Sequence, residues 1–179
     1  MKARGVTLIE LLVALAIVGL LLLAAVPLYA QWIADNQIGS GAESVAQGLR
    51  LAQSEAIKRN LQVEFVLDPA TGTGGWTVQE AATGTAIQSA SFRQGADRVA
   101  FVVGPADLTT VTFSSLGTIA TPNADGTNPL ETVDISSSVS GTRALRVVVG
   151  GGRTGIKICD PAWNGIDPAD PKACPAVGG

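Results

Sequence analysis

One carboxylate stands inside a long apolar run. Glu10 sits in Val6-Thr7-Leu8-Ile9-Glu10-Leu11-Leu12, and the next charge is Asp35. An acid in such a run costs roughly 2.5–3.5 kcal/mol on membrane-insertion scales, so its presence asks for a function. A second group that could do chemistry is cationic. Arg143, Arg146, Arg153 and Lys157 fall between Gly141 and Cys159 with no acid among them. Cations flanking one turn and strand could reach successive phosphates, in contacts that are sequence-independent and salt-sensitive. The alternative use is a solvated strand face balancing nearby acids. The tail offers Asp160, Asn164, Asp167 and Asp170 as oxygen ligands. It lacks the third-position acid and the closing Glu of a calcium loop, so turn chemistry is the preferred reading.

Other chemistries are excluded by composition. The chain has no His, which removes Ser-His-Asp and Cys-His nucleophiles and His-based zinc sites. Gly150-Gly151-Gly152-Arg153 lacks the spacing and the Lys-Ser/Thr of a phosphate loop. No enzyme activity and no cofactor are expected. The two cysteines, Cys159 and Cys174, both lie near the end of the chain. An export segment ahead of them predicts an oxidising compartment and a disulfide, worth about 3 kcal/mol for a loop of about 15 residues. The formal charge is −3 over 179 residues. An acidic chain is not a general nucleic-acid binder, although a local basic patch can still bind.

Two kinds of element must carry these residues. The basic leader Met1–Gly5 is followed by an apolar stretch long enough to cross a bilayer, for which about 20 residues suffice. Gly19 and Pro27 loosen or bend that helix. Ile38, Ala42, Val45, Leu49, Ala52 and Ala56 continue it as one narrow apolar stripe, as expected for close packing of an amphipathic helix on a sheet. The helix is expected to end near Arg59-Asn60 after almost fifty residues, or about 80 Å. Beyond it the period changes to two. Strands are predicted from Val63, from Trp76 to Glu80, over 86–92, 99–103, 110–113, 132–136, 143–149 and 155–159, with short turns that favour an antiparallel sheet. The segment 121–129 reads as an exposed loop.

The joint Arg4-Gly5-Val6-Thr7-Leu8-Ile9-Glu10 resembles the type IV prepilin signature. The resemblance implies cleavage by prepilin peptidase between Gly5 and Val6, N-methylation of the new terminus, and pairing of Glu10 with a neighbouring subunit's terminal amine. Val6 departs from the usual Phe. Removing the leader leaves ten cations against fifteen acids, a net −5. Leu49 to Asn60, Gly75-Trp76, Val111 to Gly117, Arg146 to Val149, Gly152 to Gly155 and Cys159-Asp160-Pro161 resemble the FimT/GspH group of minor pilins and pseudopilins. The fold implied is α+β, a long N-terminal helix packed on a C-terminal antiparallel β domain. Five segments follow: leader 1–5, membrane and filament-core helix 6–34, amphipathic helix 35–60, β domain 61–158 and disulfide-clamped tail 159–179.

The function implied is priming or capping of a type IV pilus. Two alternatives are DNA uptake through Arg143, Arg146, Arg153 and Lys157, and a type II secretion pseudopilus. Some FimT-like pilins carry a Gly-Arg motif with alternating arginines; this chain keeps Gly152-Arg153 but has Gly155 in place of the next Arg. The partners implied are other minor and major pilins, prepilin peptidase/N-methyltransferase, the pilus assembly platform and the inner membrane, with DNA as the alternative ligand. The chain is expected to cross the inner membrane once, with its β domain in the periplasm, before joining a filament.

Overall fold

A computed structural model describes residues 7–151, 155–165 and 170–175, with backbone alone at 23, 24, 27, 151, 164 and 165. Helix α1 spans Leu8–Arg59, 52 residues, or about 78 Å at 1.5 Å per residue. Thr7 caps its start: the hydroxyl accepts the Glu10 N–H at 3.3 Å, satisfying one of the amides the first turn leaves open. Asn60 ends it in the left-handed region at φ 54°, and its N–H reaches back to the carbonyls of Ala56 and Ile57. Asn tolerates that conformation better than most non-glycine residues.

The last turn is clamped by charge. Glu55 accepts from Lys58 Nζ at 3.0 Å and from Arg59 Nε at 2.7 Å, and Arg59 also reaches Glu80 at 3.0 Å. The Arg59 hydrogen bond, then that of Lys58, holds the Glu55 carboxyl below its ordinary value of 4.5. A carboxyl depressed in the folded state stabilises the fold above its ordinary range, and that contribution fades as pH falls through the depressed value. Glu55→Gln is therefore expected to flatten the stability profile between about pH 5 and pH 3, leaving the slope near neutrality unchanged. Urea midpoints at stepped pH test this; equal slopes for both proteins would remove the clamp from the account.

Eight strands follow: β1 Val63–Asp68, β2 Gly75–Glu80, β3 Ala86–Ser91, β4 Val99–Gly104, β5 Thr110–Phe113, β6 Thr132–Ser137, β7 Leu145–Gly151 and β8 Gly155–Cys159. They form two antiparallel four-stranded sheets, in the orders β3-β2-β1-β5 and β4-β6-β7-β8, where a single sheet was expected. β4 and β5 exchange places. β4 leaves the first sheet to pair with β6, and β5 returns to pair with β1, Phe65 opposite Val111. Strand periodicity is the same in either arrangement, so local sequence carries no sign of it. Leu130 N–H to Thr110 O and Glu131 N–H to Gly104 O, both 2.9 Å, stitch the sheets where they meet.

The core lies between α1 and both sheets. Ile38, Ala42, Val45, Leu49, Ala52 and Ala56 are fully buried, facing Val63, Phe65, Val78, Val99, Val111, Phe113, Val133, Ile135 and Val147. Alternation along β1 explains the split: Val63, Phe65 and Leu67 face the helix, since successive strand side chains point to opposite faces. The alanines let the sheets approach the helix closely. β7 begins at Leu145, two residues later than expected, because Arg143 and Ala144 belong to the turn that meets α1 at Asp35.

Candidate functional site

Over residues 8–30 of α1 every described side chain is exposed. Leu8, Leu12, Leu15, Ile17, Leu20, Val26, Leu28 and Trp32 are all more than half exposed, on every side of the helix. From Ala34 onward the same helix buries a continuous stripe. An all-round apolar helix is stable in a bilayer or against other chains, not in water. Among the described residues no helix is long and apolar enough to cross a membrane. The expected span, 6–34, includes Val6 and the side chains at 23, 24 and 27, which lie outside them. The helix is unbroken through Gly19 and Pro27. Gly19 has open space around it, while the Pro27 side chain, like Gly5 and Val6, lies outside the described residues.

Glu10 is the third residue of the helix, on its exposed surface. The sequence reading missed its local partner. Thr7-Leu8-Ile9-Glu10 has the S/T-x-x-E spacing of a capping box, in which the Ser or Thr caps the N3 amide. The Thr7 half of that exchange is present. Glu10 therefore has a capping position as well as a carboxylate, and a Gln retains the first while removing the second.

The basic strands are less free than their sequence suggests. Arg146 holds Asp134 with both nitrogens, Nε to Oδ1 at 2.6 Å and Nη2 to Oδ2 at 2.8 Å. That bidentate hydrogen bonding raises the guanidinium pKa further. Lys157 donates to the Ala173 carbonyl at 2.9 Å, tying β8 to the tail. Arg143 is exposed, 4.0 Å from Asp160, and its backbone N–H donates to Asp35. Arg153 lies outside the described residues. The structure thus brings Arg146 and Lys157 into the β7–β8 region but commits both to intramolecular partners.

Cys159 and Cys174 are joined, with Cα atoms 5.1 Å apart, and pack on Val148 on the outer face of the second sheet. Asp160 N–H donates to Lys172 O, and Lys172 Nζ sits 5.0 Å above the Trp163 ring. Asp160 and Asp170 accept backbone N–H groups two residues on, from Ala162 and Lys172, which is turn chemistry. Among the described residues no group of acids, cysteines or histidines could hold a metal ion. Changing both cysteines to Ser is expected to cost about 3 kcal/mol of unfolding free energy, for a separation of 15 residues. Urea unfolding of the wild type under a reductant should reproduce the loss; identical midpoints would mean the tail is held by its other bonds.

Comparison with known proteins adds to this geometry. The pattern described as "Type II transport protein GspH" matches residues 41–155. The pattern described as "Prokaryotic N-terminal methylation motif" matches residues 1–26. The fold resembles the type IV minor pilin FimU of Pseudomonas aeruginosa, with a TM-score of 0.52 at 21% identity over 71% of this chain and 91% of that one. It also resembles the minor pseudopilin EpsH of the Vibrio cholerae Type 2 Secretion System, with a TM-score of 0.50 at 16% identity over 70% of this chain and 98% of that one. The type IV major fimbrial protein FimA of Dichelobacter nodosus is 38% identical over 72 residues, 40% of this chain. The chain spans 44% of the length of that curated relative.

Proposed function

We propose, for a chain that belongs to the GspH family and is thereby a minor pilin or pseudopilin of the type IV pilus and type II secretion class, that it primes or caps a type IV pilus. The observation that carries this reading is the division of α1. Its first half exposes apolar side chains all round, and its second half is fixed to the sheets by a buried stripe. Such a subunit waits with its first half in the inner membrane and its β domain in the periplasm. On assembly the apolar half exchanges lipid for neighbouring helices, a transfer between two apolar media that leaves the β domain undisturbed. Cleavage between Gly5 and Val6 by prepilin peptidase would give a terminal amine, and the Glu10 carboxylate of one subunit would pair with the amine of the next. A charge in an apolar bundle is tolerated when an opposite charge meets it.

The commitments of Arg146 to Asp134 and of Lys157 to Ala173 support the filament role over the DNA-uptake alternative. A nucleic acid would have to compete for both cations.

The test is a count of surface pili by electron microscopy in a deletion strain that cannot retract them. Few or no pili are expected, restored by the intact gene. Glu10→Ala is expected not to restore them, and Glu10→Gln should fail as well, because it keeps the cap position but loses the charge. Full restoration by Glu10→Gln would mean that Glu10 acts by capping its own helix. A normal count after deletion, with exoproteins trapped inside the cell, would assign the chain to secretion instead.

A further inference from the structure

The four outer strands of the two sheets differ in how their free edges are guarded. β5 is covered by the Phe113–Ile119 bridge and by Ala120 N–H to Thr112 O. β8 is flanked by the disulfide-bonded tail, through Lys157 to Ala173 and Asp160 to Lys172. β4 lies between Asp97-Arg98 and Pro105, charges and a proline that discourage pairing. β3 has no covering segment and no proline, and Arg93, two residues past its end, is turned to the Gly72 carbonyl. The strand pairs with β2 alone, and the whole stretch Ala81–Phe92 contains neither a charge nor a proline. A neutral edge strand presents unpaired main-chain groups that another chain can use as a template.

Register identifies those groups. Phe92 N–H donates to Gly74 O, and Trp76 lies opposite Ala90. Residues directly opposite each other in an antiparallel pair alternate between bonded and non-bonded. Ser89, opposite Thr77, and Ser91, opposite Gly75, therefore turn their N–H and C=O groups away from β2. Beside them the outer face of the sheet holds a shallow cleft of about 270 Å³ lined by Asp68, Thr73, Thr77, Ser89 and Ser91. It stays open because Gly75 has no side chain there; a Cβ would collide with the Ala90 carbonyl. Asp68 is exposed, accepts only the Ala70 N–H, and meets no cation among the described residues.

We propose that β3 receives an extended, basic segment of a different pilin subunit as a fifth strand. Ser89 and Ser91 supply main-chain hydrogen bonds, and a Lys or Arg of the added strand enters the cleft and pairs with Asp68. Strand addition takes affinity from the backbone and specificity from alternate side chains. The inference rests on the reading of the chain as a filament subunit and gives that subunit a second contact, remote from α1.

The test uses the full chain in cells that assemble filaments, with a photo-crosslinking amino acid at Gln88 on β3 or, separately, at Trp32 on α1. Gln88 adducts should map to an extended, Lys- or Arg-containing segment of another pilin. Ser89→Pro removes the outward N–H and spares the β2 ladder, and should reduce those adducts about tenfold, as expected for one or two lost hydrogen bonds. Asp68→Asn keeps the acceptor for Ala70 and should reduce them several-fold without disturbing the fold. No adducts at Gln88, adducts to a second copy of this chain, or adducts unchanged by both variants would overturn the proposal. If Trp32 still crosslinks to pilins in that case, the filament reading survives; if Trp32 gives none, both fall.

Discussion

Asn123→Ala should lower the unfolding free energy by about 3 kcal/mol, a large effect for an asparagine in a loop. Asn123 is 3% exposed. Its Oδ1 accepts the Thr112 N–H at 2.9 Å. Its Nδ2 serves Thr110 O, Thr127 Oγ1 and Asn128 O, each at 3.1 Å. One amide thus takes the place of a partner strand along β5 and closes the 123–128 turn. Alanine leaves the amide of fully buried Thr112 without a partner, at about 1–3 kcal/mol, and removes the Nδ2 bonds that close the turn, while the Thr110 carbonyl keeps the Leu130 N–H. Asn123→Asp separates the two halves of the role. It keeps the acceptor but turns a charged oxygen toward three acceptors, so at neutral pH it should be no better than alanine. Protonation restores a donor, so its stability relative to wild type should recover as pH falls. Urea unfolding of the detergent-solubilised chain, followed by near-ultraviolet circular dichroism, measures both. A loss below about 1 kcal/mol would show that water replaces the amide.

Gly48→Val should cost about 2–3 kcal/mol, the upper part of the range for overpacking a filled core. A Cβ at Gly48 would lie 2.6 Å from Phe65 Cε2 and 2.7 Å from Trp76 Cδ2. Ring ends can usually shift, but these cannot do so freely. The two rings pack on each other with centroids 6.1 Å apart, and the Trp76 indole N–H is fixed to Ser44 Oγ at 3.0 Å. Moving the indole breaks that part-buried bond. Helix propensity argues the other way, since glycine is about 1 kcal/mol worse than alanine in a helix. Gly39 supplies the control: nothing lies within 4 Å of its Cβ position, so Gly39→Ala should stabilise the chain by up to about 1 kcal/mol. Thermal unfolding monitored at Trp76 compares the two. A neutral Gly48→Val would mean that the Phe65–Trp76 contact yields more easily than its geometry implies.

These two residues show where sequence reading runs out. Read locally, Gly48 is only a poor helix former, because its use is set by Phe65 and Trp76, far along the chain. Asn123 falls in a stretch rich in Pro, Asn, Asp and Gly, which reads as an exposed loop. Most of that loop is exposed, but Asn123 itself is buried because β5 lacks a strand on that side. Arg146 and Lys157 read as a positive patch, since no acid lies between Gly141 and Cys159. Asp134 and the Ala173 carbonyl come from other segments and occupy them.

What the sequence determined by itself is everything set by near neighbours. The alternating four- and three-residue spacing of Ile38, Ala42, Val45, Leu49, Ala52 and Ala56 predicted the buried stripe. The period of two from Val63 predicted β1, and the other strands lie within a few residues of their predicted positions. The prepilin-like joint around Gly5 and the late cysteine pair pointed to the family and the disulfide. Period, turn chemistry and short motifs act over a few residues, so one chain suffices to read them. The tertiary structure alone decided the exchange of β4 and β5 into two sheets, the intramolecular partners of the basic side chains, the anchoring of the loop by Asn123 and the unguarded edge of β3. Each depends on segments about a dozen or more residues apart, and strand periodicity is identical whichever neighbour a strand finds.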